Sequence, residues 1–458
     1  MSDDSNRRDL RFAVGRWFRP RSTEGISESA HPLPADSVDD RKQFASSVVG
    51  TITAVAIFAL ALVVIYNLLP KEPKISDFYV HISKILYGRV ATDSPPLAYP
   101  LFHWTLALVL SFVPEQDWNG ARQSAAIVLA LALGMRAWLT YRELRGPLSK
   151  YAAAVTCFLL ALAMALPNGW VSPSDYLDEV DGLPWWQHFP SIYRGIVNPN
   201  VWHNPTAIFA APFALLLFHQ AILYLENPGY QMALSIGIAG ALCALAKPNY
   251  LLAFLPGFGL VLAVDLWRAY RTGRIPLRRA LLMPCVAFIL PVGALLWQCF
   301  YTFGSQNRIV FDPWAVWSTF LDPPPVGFRN QIRAEVLMRR VPMAIILGLV
   351  FPCTVAACFP RALWRERRAL LAWLILGISI SQYALLAETE LKQFYSGNFF
   401  WAMVPGSFIV YMESCRVIGR QPFSVLKLLC IGVLLVHAGC GVMFLARALI
   451  APADVQNF

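Results

Sequence analysis

Charged residues are scarce in this chain. Asp, Glu, Lys and Arg together make up 14% of its 458 residues, whereas soluble globular proteins carry about 25%. Apolar residues reach 57%, and the mean hydropathy is +0.50. Together these values exclude a soluble enzyme, a disordered chain and a disulfide-rich secreted module. The composition predicts a polytopic membrane protein instead.

The motifs of soluble enzymes and of common metal sites are also missing. The sequence contains no P-loop, GxGxxG, HExxH or GxSxG motif, so nucleotide-dependent chemistry is not indicated. Its nine cysteines lie in or beside apolar stretches and form no CxxC pair, which argues against a disulfide framework and a zinc site. The sequence has no basic stripe interleaved with aromatic residues, so a nucleic-acid partner is not indicated.

Apolar stretches follow one another along most of the chain. Residues 1–44 are polar and basic, and we interpret them as a cytoplasmic, mostly disordered tail. We interpret 45–458 as one transmembrane domain that begins with a span near 46–69. The later apolar stretches lie near 97–113, 121–139, 151–167, 204–225, 230–246, 249–267, 280–303, 342–359, 369–387, 398–415 and 424–447.

Short basic segments between these stretches orient the chain. The positive-inside rule places them and the N-terminal tail in the cytoplasm. These segments are 136–150, 268–279, 361–368 and 416–427. Because the first span ends outside and the chain is inside again near residue 140, only one of the next two stretches can cross. We predict that 97–113, which opens with prolines, is re-entrant or interfacial. About 11 helices then cross an inner (plasma) membrane, with the N-terminus inside and the C-terminus outside.

The segment after the first span holds the first candidate for chemistry. Its pattern predicts an amphipathic helix on the outer leaflet with Asp77 at the start. His81 follows four residues later and shares a helix face with Asp77. On spacing alone, Asp77 is either a helix N-cap or a catalytic base, and the cap is favoured.

The same region resembles a known superfamily. A span is followed by Asp77-Phe78, by a helix ending in a small turn at 87–89, and by a proline-rich segment at 95–100 that opens an apolar helix. This pattern resembles the GT-C superfamily of polytopic glycosyltransferases. It is most similar to bacterial polyprenyl-phosphate-mannose-dependent and PIG-M-like mannosyltransferases. The likeness is detailed over about 77–140 and architectural beyond it; many relatives have an adjacent acidic pair where this chain has one carboxylate.

The resemblance implies both a fold and a reaction. The fold would be all-α, a GT-C-like bundle with interfacial helices in its outer loops. The reaction would move a hexose from a polyprenyl-phosphate sugar to a glycan, glycolipid or protein acceptor at the outer face. The anomeric centre would be inverted, and Asp77 would be the base.

Several cations suit a lipid phosphate. Lys247 lies between two apolar stretches, where it either binds the donor phosphate or snorkels to lipid headgroups. The third outer loop, 304–341, carries Arg329, Arg333 and Arg340. Guanidinium groups suit phosphate and pyrophosphate. We therefore assign these four residues to the donor phosphate, with headgroup contact as the alternative for any single arginine.

Acidic, aromatic and amide residues in the outer loops are candidates for substrate contact. Carboxylates and amides bond sugar hydroxyls, and aromatic rings stack on sugar faces. An interface belt and helix caps are the alternative interpretations. The substrate candidates are His81, Asp175, Asp178, Trp185, Trp186, His188, His203, Asn204, Glu388 and Asn398. No metal ligand is assigned, although a divalent cation stays possible at the acidic group of the second outer loop, 168–203.

Three functions compete on this basis. The first is the membrane glycosyltransferase. The second is an O-antigen-type polymerase or ligase that uses pyrophosphate lipids and the arginine-rich loop. The third is a transporter or flippase; transporters place ionisable residues near the bilayer midplane, whereas the polar residues here collect at the outer ends of the apolar stretches.

Overall fold

Over the residues that it describes, the computed structural model is almost wholly helical. The residues it describes are 36–69, 71, 77–87, 99–115, 117–166, 197–202, 204–273, 277–300, 309–311, 345–388 and 398–450. In chain order the helices are α1 (Asp36–Leu68), α2 (Asp77–Leu86), α3 (Pro100–Leu110), α4 (Trp118–Leu144), α5 (Lys150–Leu162), α6 (Pro205–Glu226), α7 (Tyr230–Ala246), α8 (Asn249–Arg271), α9 (Leu277–Gln298), α10 (Ile345–Cys358), α11 (Pro360–Arg365), α12 (Arg367–Leu385), α13 (Met403–Gly419) and α14 (Val425–Ile450).

Six of the described helices are long and apolar enough to cross a membrane: α4, α6, α8, α12, the Ala45–Leu68 part of α1 and the Val425–Ala446 part of α14. Five shorter apolar helices accompany them: α3, α5, α7, α10 and the Leu282–Gln298 part of α9. The prediction of an all-α polytopic membrane protein is therefore confirmed. The number of crossings, the sides on which the termini lie and the division at residue 44 stay predictions.

Two apolar stretches differ in length from simple spans. Helix α3 has 11 residues and rises about 16 Å, roughly half of the hydrocarbon thickness. The re-entrant or interfacial placement of 97–113 stays a prediction. Helix α5 ends at Leu162, before the end of the apolar stretch near 151–167; Ala163 is extended and 164–166 are not helical.

The extended segment after α5 is held inside the bundle by polar groups. Asn200 donates through Nδ2 to Leu160 O at 2.7 Å and to Ala163 O at 2.6 Å. Arg136, within α4, donates to Asn200 Oδ1 at 2.5 Å. The carbonyl oxygens of Leu160 and Ala163 are thus satisfied without a continuing helix, as a buried segment requires. Residues 197–201 precede the start of α6 in the chain.

Helix pairs approach closely where one of them carries glycine. A Cβ added to Gly240 of α7 would lie 2.9 Å from Pro291 Cβ of α9. A Cβ on Gly237, one turn earlier, would lie 3.1 Å from Val286 O. Small residues let two backbones pack at this distance, as is usual between membrane helices.

A buried ionic network joins four helices at one end of the bundle. Glu143 of α4 pairs with Arg368 of α12 and with His219 of α6, and it lies 3.5 Å from Arg416 of α13. Glu413, also of α13, bonds Arg368 and Arg416 at 3.2 Å each. The opposite end of α4 lies beside the end of α1, and α2 and α3 pack against α4 there. We call it the α2 end.

A short ribbon lies at the α2 end, beside the C-terminus of α12. Strand β1 (Ile309–Phe311) pairs antiparallel with β2 (Leu386–Glu388), and Ile309 lies opposite Glu388. A 3-10 helix, Asn398–Ala402, follows β2 and packs against α8, α12 and α13.

Candidate active site

Lys247 is the central cation of the α2 end. It follows α7 directly in an extended conformation, and its side chain is only 5% exposed. Its Nζ donates to Asn204 Oδ1 at 3.1 Å and to Thr206 Oγ1 at 2.9 Å. The ammonium also lies 4.2 Å from the ring centroid of Trp401 and 5.3 Å from that of Tyr99. Two oxygens and two ring faces therefore hold a buried positive charge in place.

Asn204 connects this cation to the start of α6. Its Oδ1 accepts from the backbone N–H of Ala207 at 2.9 Å, which is an N-cap contact, and Pro205 occupies the first helical position. Thr206 Oγ1 donates to the same oxygen at 2.9 Å. The helix-start role expected from the sequence is confirmed, and substrate contact by Asn204 stays a prediction.

Helix α2 is the amphipathic helix that the sequence predicts. Phe78 and Ile82 are buried, whereas Val80 is exposed. The helix packs against α3, α4 and α6. Asp77 is its first residue, but its side chain lies outside the described ones. The choice between cap and base for Asp77 therefore stays open.

Two histidines meet between α2 and α3. His81 Nδ1 lies 3.1 Å from His103 Nε2, and His103 Nδ1 lies 2.8 Å from the carbonyl oxygen of Tyr99. His103 is 2% exposed, whereas His81 is half-buried. The ring of Tyr99 lies 6.1 Å from that of His81, centroid to centroid. Since the ring of Tyr99 also faces the Lys247 ammonium, the histidine pair and the lysine belong to one cluster.

The cluster keeps both imidazoles neutral. Burial, His103, and the positive charges of Lys247 and Lys84 hold the pKa of His81 well below its usual 6.5. Burial lowers the pKa of His103 to about 4, against an opposing contribution from its bond to the Tyr99 carbonyl. Neither ring carries a proton on both nitrogens at neutral pH.

Most other predicted site residues cannot be placed beside this cluster. Those outside the described residues are Asp175, Asp178, Trp185, Trp186, His188, His203, Arg329, Arg333 and Arg340. Glu388 lies in β2 and Asn398 begins the 3-10 helix, but their side chains are not described. Their assignments stay predictions. Within the described ranges, no three His, Cys, Asp or Glu side chains gather as a metal site would require.

Sequence reasoning missed four members of the cluster: Tyr99, His103, Thr206 and Trp401. One signal was present for His103, because it follows Tyr99 by four residues in the proline-opened helix, so its ring can reach the Tyr99 carbonyl. The local sequence around Trp401 did not indicate a site residue, because only the tertiary packing of the 3-10 helix brings it to Lys247.

Comparison with known proteins adds little to this geometry. No protein-family model matches the chain, and no curated protein matches it. Among solved structures, the crystal structure of ArnT from Cupriavidus metallidurans bound to undecaprenyl phosphate matches with a TM-score of 0.42 and 12% identity. The match covers 88% of this chain and 74% of that chain. At that score and identity, neither a shared fold nor a shared substrate follows.

Proposed function

We propose that this protein is a GT-C-type membrane glycosyltransferase that takes a hexose, such as mannose, from a polyprenyl-phosphate donor. The observation that carries the proposal is the buried Lys247 ammonium. It is held by Asn204 and Thr206 and lies beside the rings of Tyr99 and Trp401, at the end of the bundle where amphipathic α2 lies.

The position of this charge suits an anion delivered from the membrane. A fixed cation in a site of low polarity stabilises negative charge far more than the same cation in water. A departing phosphate develops such charge. The lipid tail keeps the donor at the membrane surface, and an amphipathic helix such as α2 lies in that plane. Arg329, Arg333 and Arg340 complete the phosphate site in this proposal.

The reaction then follows from the charges. Asp77 takes the proton of an acceptor hydroxyl, whose oxygen attacks the anomeric carbon on the face opposite the phosphate. The bond from that carbon to the phosphate oxygen breaks, its electron pair leaves with the phosphate, and Lys247 balances the added charge. The anomeric configuration is inverted. The acceptor is a glycan, a glycolipid or a protein, held by His81, Asn204 and the substrate candidates of the outer loops, at the outer face of an inner membrane.

A sugar-transfer assay in purified membranes tests the proposal. Radiolabelled polyprenyl-phosphate sugars are offered to the wild type, to Lys247→Gln and to Lys150→Gln. Lys150 is a matched control, since its ammonium also lies over a tyrosine ring, 5.1 Å from that of Tyr151, at the opposite end of the bundle. We expect transfer by the wild type and by Lys150→Gln, and a loss of about 100-fold or more in Lys247→Gln.

Other outcomes would reject the proposal. Equal rates in all three proteins would remove Lys247 from the phosphate site. Polyprenyl-pyrophosphate sugars are offered in a parallel assay, and transfer from these donors alone would point to a polymerase or ligase. Solute uptake into vesicles, with no transfer, would point to a transporter.

A further inference from the structure

The hydrogen bonds of the histidine pair determine where its protons lie. A carbonyl oxygen can only accept, so His103 Nδ1 carries the hydrogen that is donated to Tyr99 O at 2.8 Å. A neutral His103 then has a bare Nε2. His81 Nδ1, 3.1 Å from that nitrogen, must be the donor. A neutral His81 in turn has a bare Nε2.

The two rings differ in what they can reach. His103 is 2% exposed and uses both of its nitrogens within the protein. His81 is half-buried, and its Nδ1 is engaged by His103. Its Nε2 is the nitrogen that the pair leaves as a hydrogen-bond acceptor. Tyr99 places the ring of His81 in the same cluster as the Lys247 ammonium.

We propose that His103 acts as a positioning residue that holds His81 in the Nδ1–H tautomer, so that His81 Nε2 accepts a hydrogen bond from a substrate hydroxyl beside the Lys247 phosphate site. The proposal rests on the proposed function, because it needs a phosphate-bearing sugar or its acceptor in that site. The hydroxyl belongs to one of these two substrates. An imidazolium or the opposite tautomer would present an N–H there, which can donate to a hydroxyl oxygen but cannot accept the hydroxyl hydrogen.

The first test measures the tautomer without any assay of activity. The protein has seven histidines, and 15N-histidine labelling in lipid nanodiscs resolves their ring nitrogens by NMR. The His81 signals are identified by their absence in His81→Asn. We expect a neutral ring protonated at Nδ1 in the wild type at pH 7. A ring protonated at Nε2, or an imidazolium, would overturn the proposal even if transfer activity is found.

The second test separates the two nitrogens of His81. His81→Asn retains a donor to His103 near the Nδ1 position but has no atom at Nε2. His81→Gln has an amide oxygen near the Nε2 position. We expect His81→Asn to lose tenfold or more in transfer rate, and His81→Gln to recover part of it. Equal activity of His81→Asn and wild type would reject the hydrogen bond to substrate. The histidine pair would then have a structural role only.

The third test examines His103. His103→Gln offers an oxygen to His81 Nδ1–H, whereas His103→Asn retains only the bond to Tyr99 O. We expect about a tenfold lower rate in His103→Asn, with rescue in His103→Gln. Equal loss in both variants, with unchanged thermal stability, would reject the positioning role.

The kinetic constants identify the source of the hydroxyl. A raised KM for the donor in His81→Asn assigns it to the donor sugar, and a raised KM for the acceptor assigns it to the acceptor. A lower kcat with both KM values unchanged would reject ground-state binding of a hydroxyl. If the wild type transfers no sugar at all, the proposed function fails, and the NMR result still decides the tautomer.

Discussion

The guanidinium of Arg122 caps the last turn of α1 through Tyr66. Its Nη2 donates to Tyr66 O at 2.6 Å, and its central carbon lies 4.1 Å from the centroid of the Tyr66 ring. Nε of the same side chain donates to Leu69 O at 3.2 Å. The last carbonyls of a helix lack partners within it, so a cation from the start of α4 satisfies them and joins α1 to α4 at the α2 end.

Arg122→Met should therefore weaken the junction of α1 and α4. The variant keeps most of the apolar stem but loses both hydrogen bonds to carbonyl oxygens. We expect the free energy of unfolding to fall by about 2–3 kcal/mol, since bonds from charged groups contribute about 1.5–3 kcal/mol each and part of this is recovered by packing. Denaturant titration in micelles measures it. An unchanged midpoint would show that the cap contributes nothing.

Glu143→Gln should destabilise the protein more strongly. Glu143 is buried among Arg368, Arg416 and His219, and its neutralisation leaves the two buried arginines to share the Glu413 carboxylate. We expect a loss of about 3–5 kcal/mol. Glu366→Gln is the control, because its pair with Arg420 is more exposed and should contribute less than about 1 kcal/mol. Similar losses in the two variants would contradict this ranking.

Glycine positions in the described helices should respond according to the space around them. A Cβ at Gly240 would lie 2.9 Å from Pro291, whereas Gly259, within α8, has nothing within 4 Å of the same atom. Gly240→Ala should lower the free energy of unfolding by about 1–3 kcal/mol. Gly259→Ala should be neutral or raise it by up to about 1 kcal/mol, because alanine favours helix. Thermal melts of both variants check the difference in sign.

Acid should inactivate the protein when His81 gains a second ring proton. Its pKa lies below 6.5 because of burial, His103, Lys247 and Lys84, so the neutral form persists through the neutral range and is lost as the pH falls through the lowered pKa. Lys84→Met removes one positive charge and should raise that pKa. The acid limb of the transfer rate should then move to higher pH. Lys71→Met, an exposed change between α1 and α2, should leave it in place. A shift to lower pH in Lys84→Met would refute the electrostatic cause.

The linked effect on stability has a definite sign. A buried histidine whose folded pKa is lowered stabilises the fold only while it is neutral. For His103, stability is complete above the unfolded pKa of about 6.5 and declines as the pH falls towards about 4. His103→Gln should therefore make the unfolding midpoint less sensitive to pH between these values. An identical pH dependence in the variant and the wild type would contradict this assignment.

The apolar stretches predicted the helices well, because burial of backbone in lipid leaves few alternatives to a helix. The helix cap at Asn204 could also be predicted from the sequence, since Asn-Pro-Thr before an apolar stretch is a local signal for the start of a helix. The pair of His81 and His103 was not, because its members lie 22 residues apart across a proline-rich segment. Arg368 reaches Glu143 across 225 residues, and only tertiary packing brings those two together.

The end of α5 could not be located from the sequence for a similar reason. Ala163 and its neighbours are as apolar as the helix before them, so hydropathy alone does not place the end of the helix at Leu162. The extended backbone there depends on Asn200, whose amide bonds Leu160 O and Ala163 O from a distant part of the chain. A local pattern carries no information about a partner that arrives later in the sequence.

The position of the β1–β2 ribbon in the chain determines when it can form during synthesis. Strand β1 precedes α10, α11 and α12, and β2 follows them, so the bond network between Ile309 and Glu388 closes only after all three helices have left the ribosome. A nascent chain that ends before Leu386 lacks β2, the strand with which β1 pairs among the described residues. The ribbon therefore forms late in co-translational insertion. Nascent chains arrested before and after Leu386 should differ in protease sensitivity near residue 309.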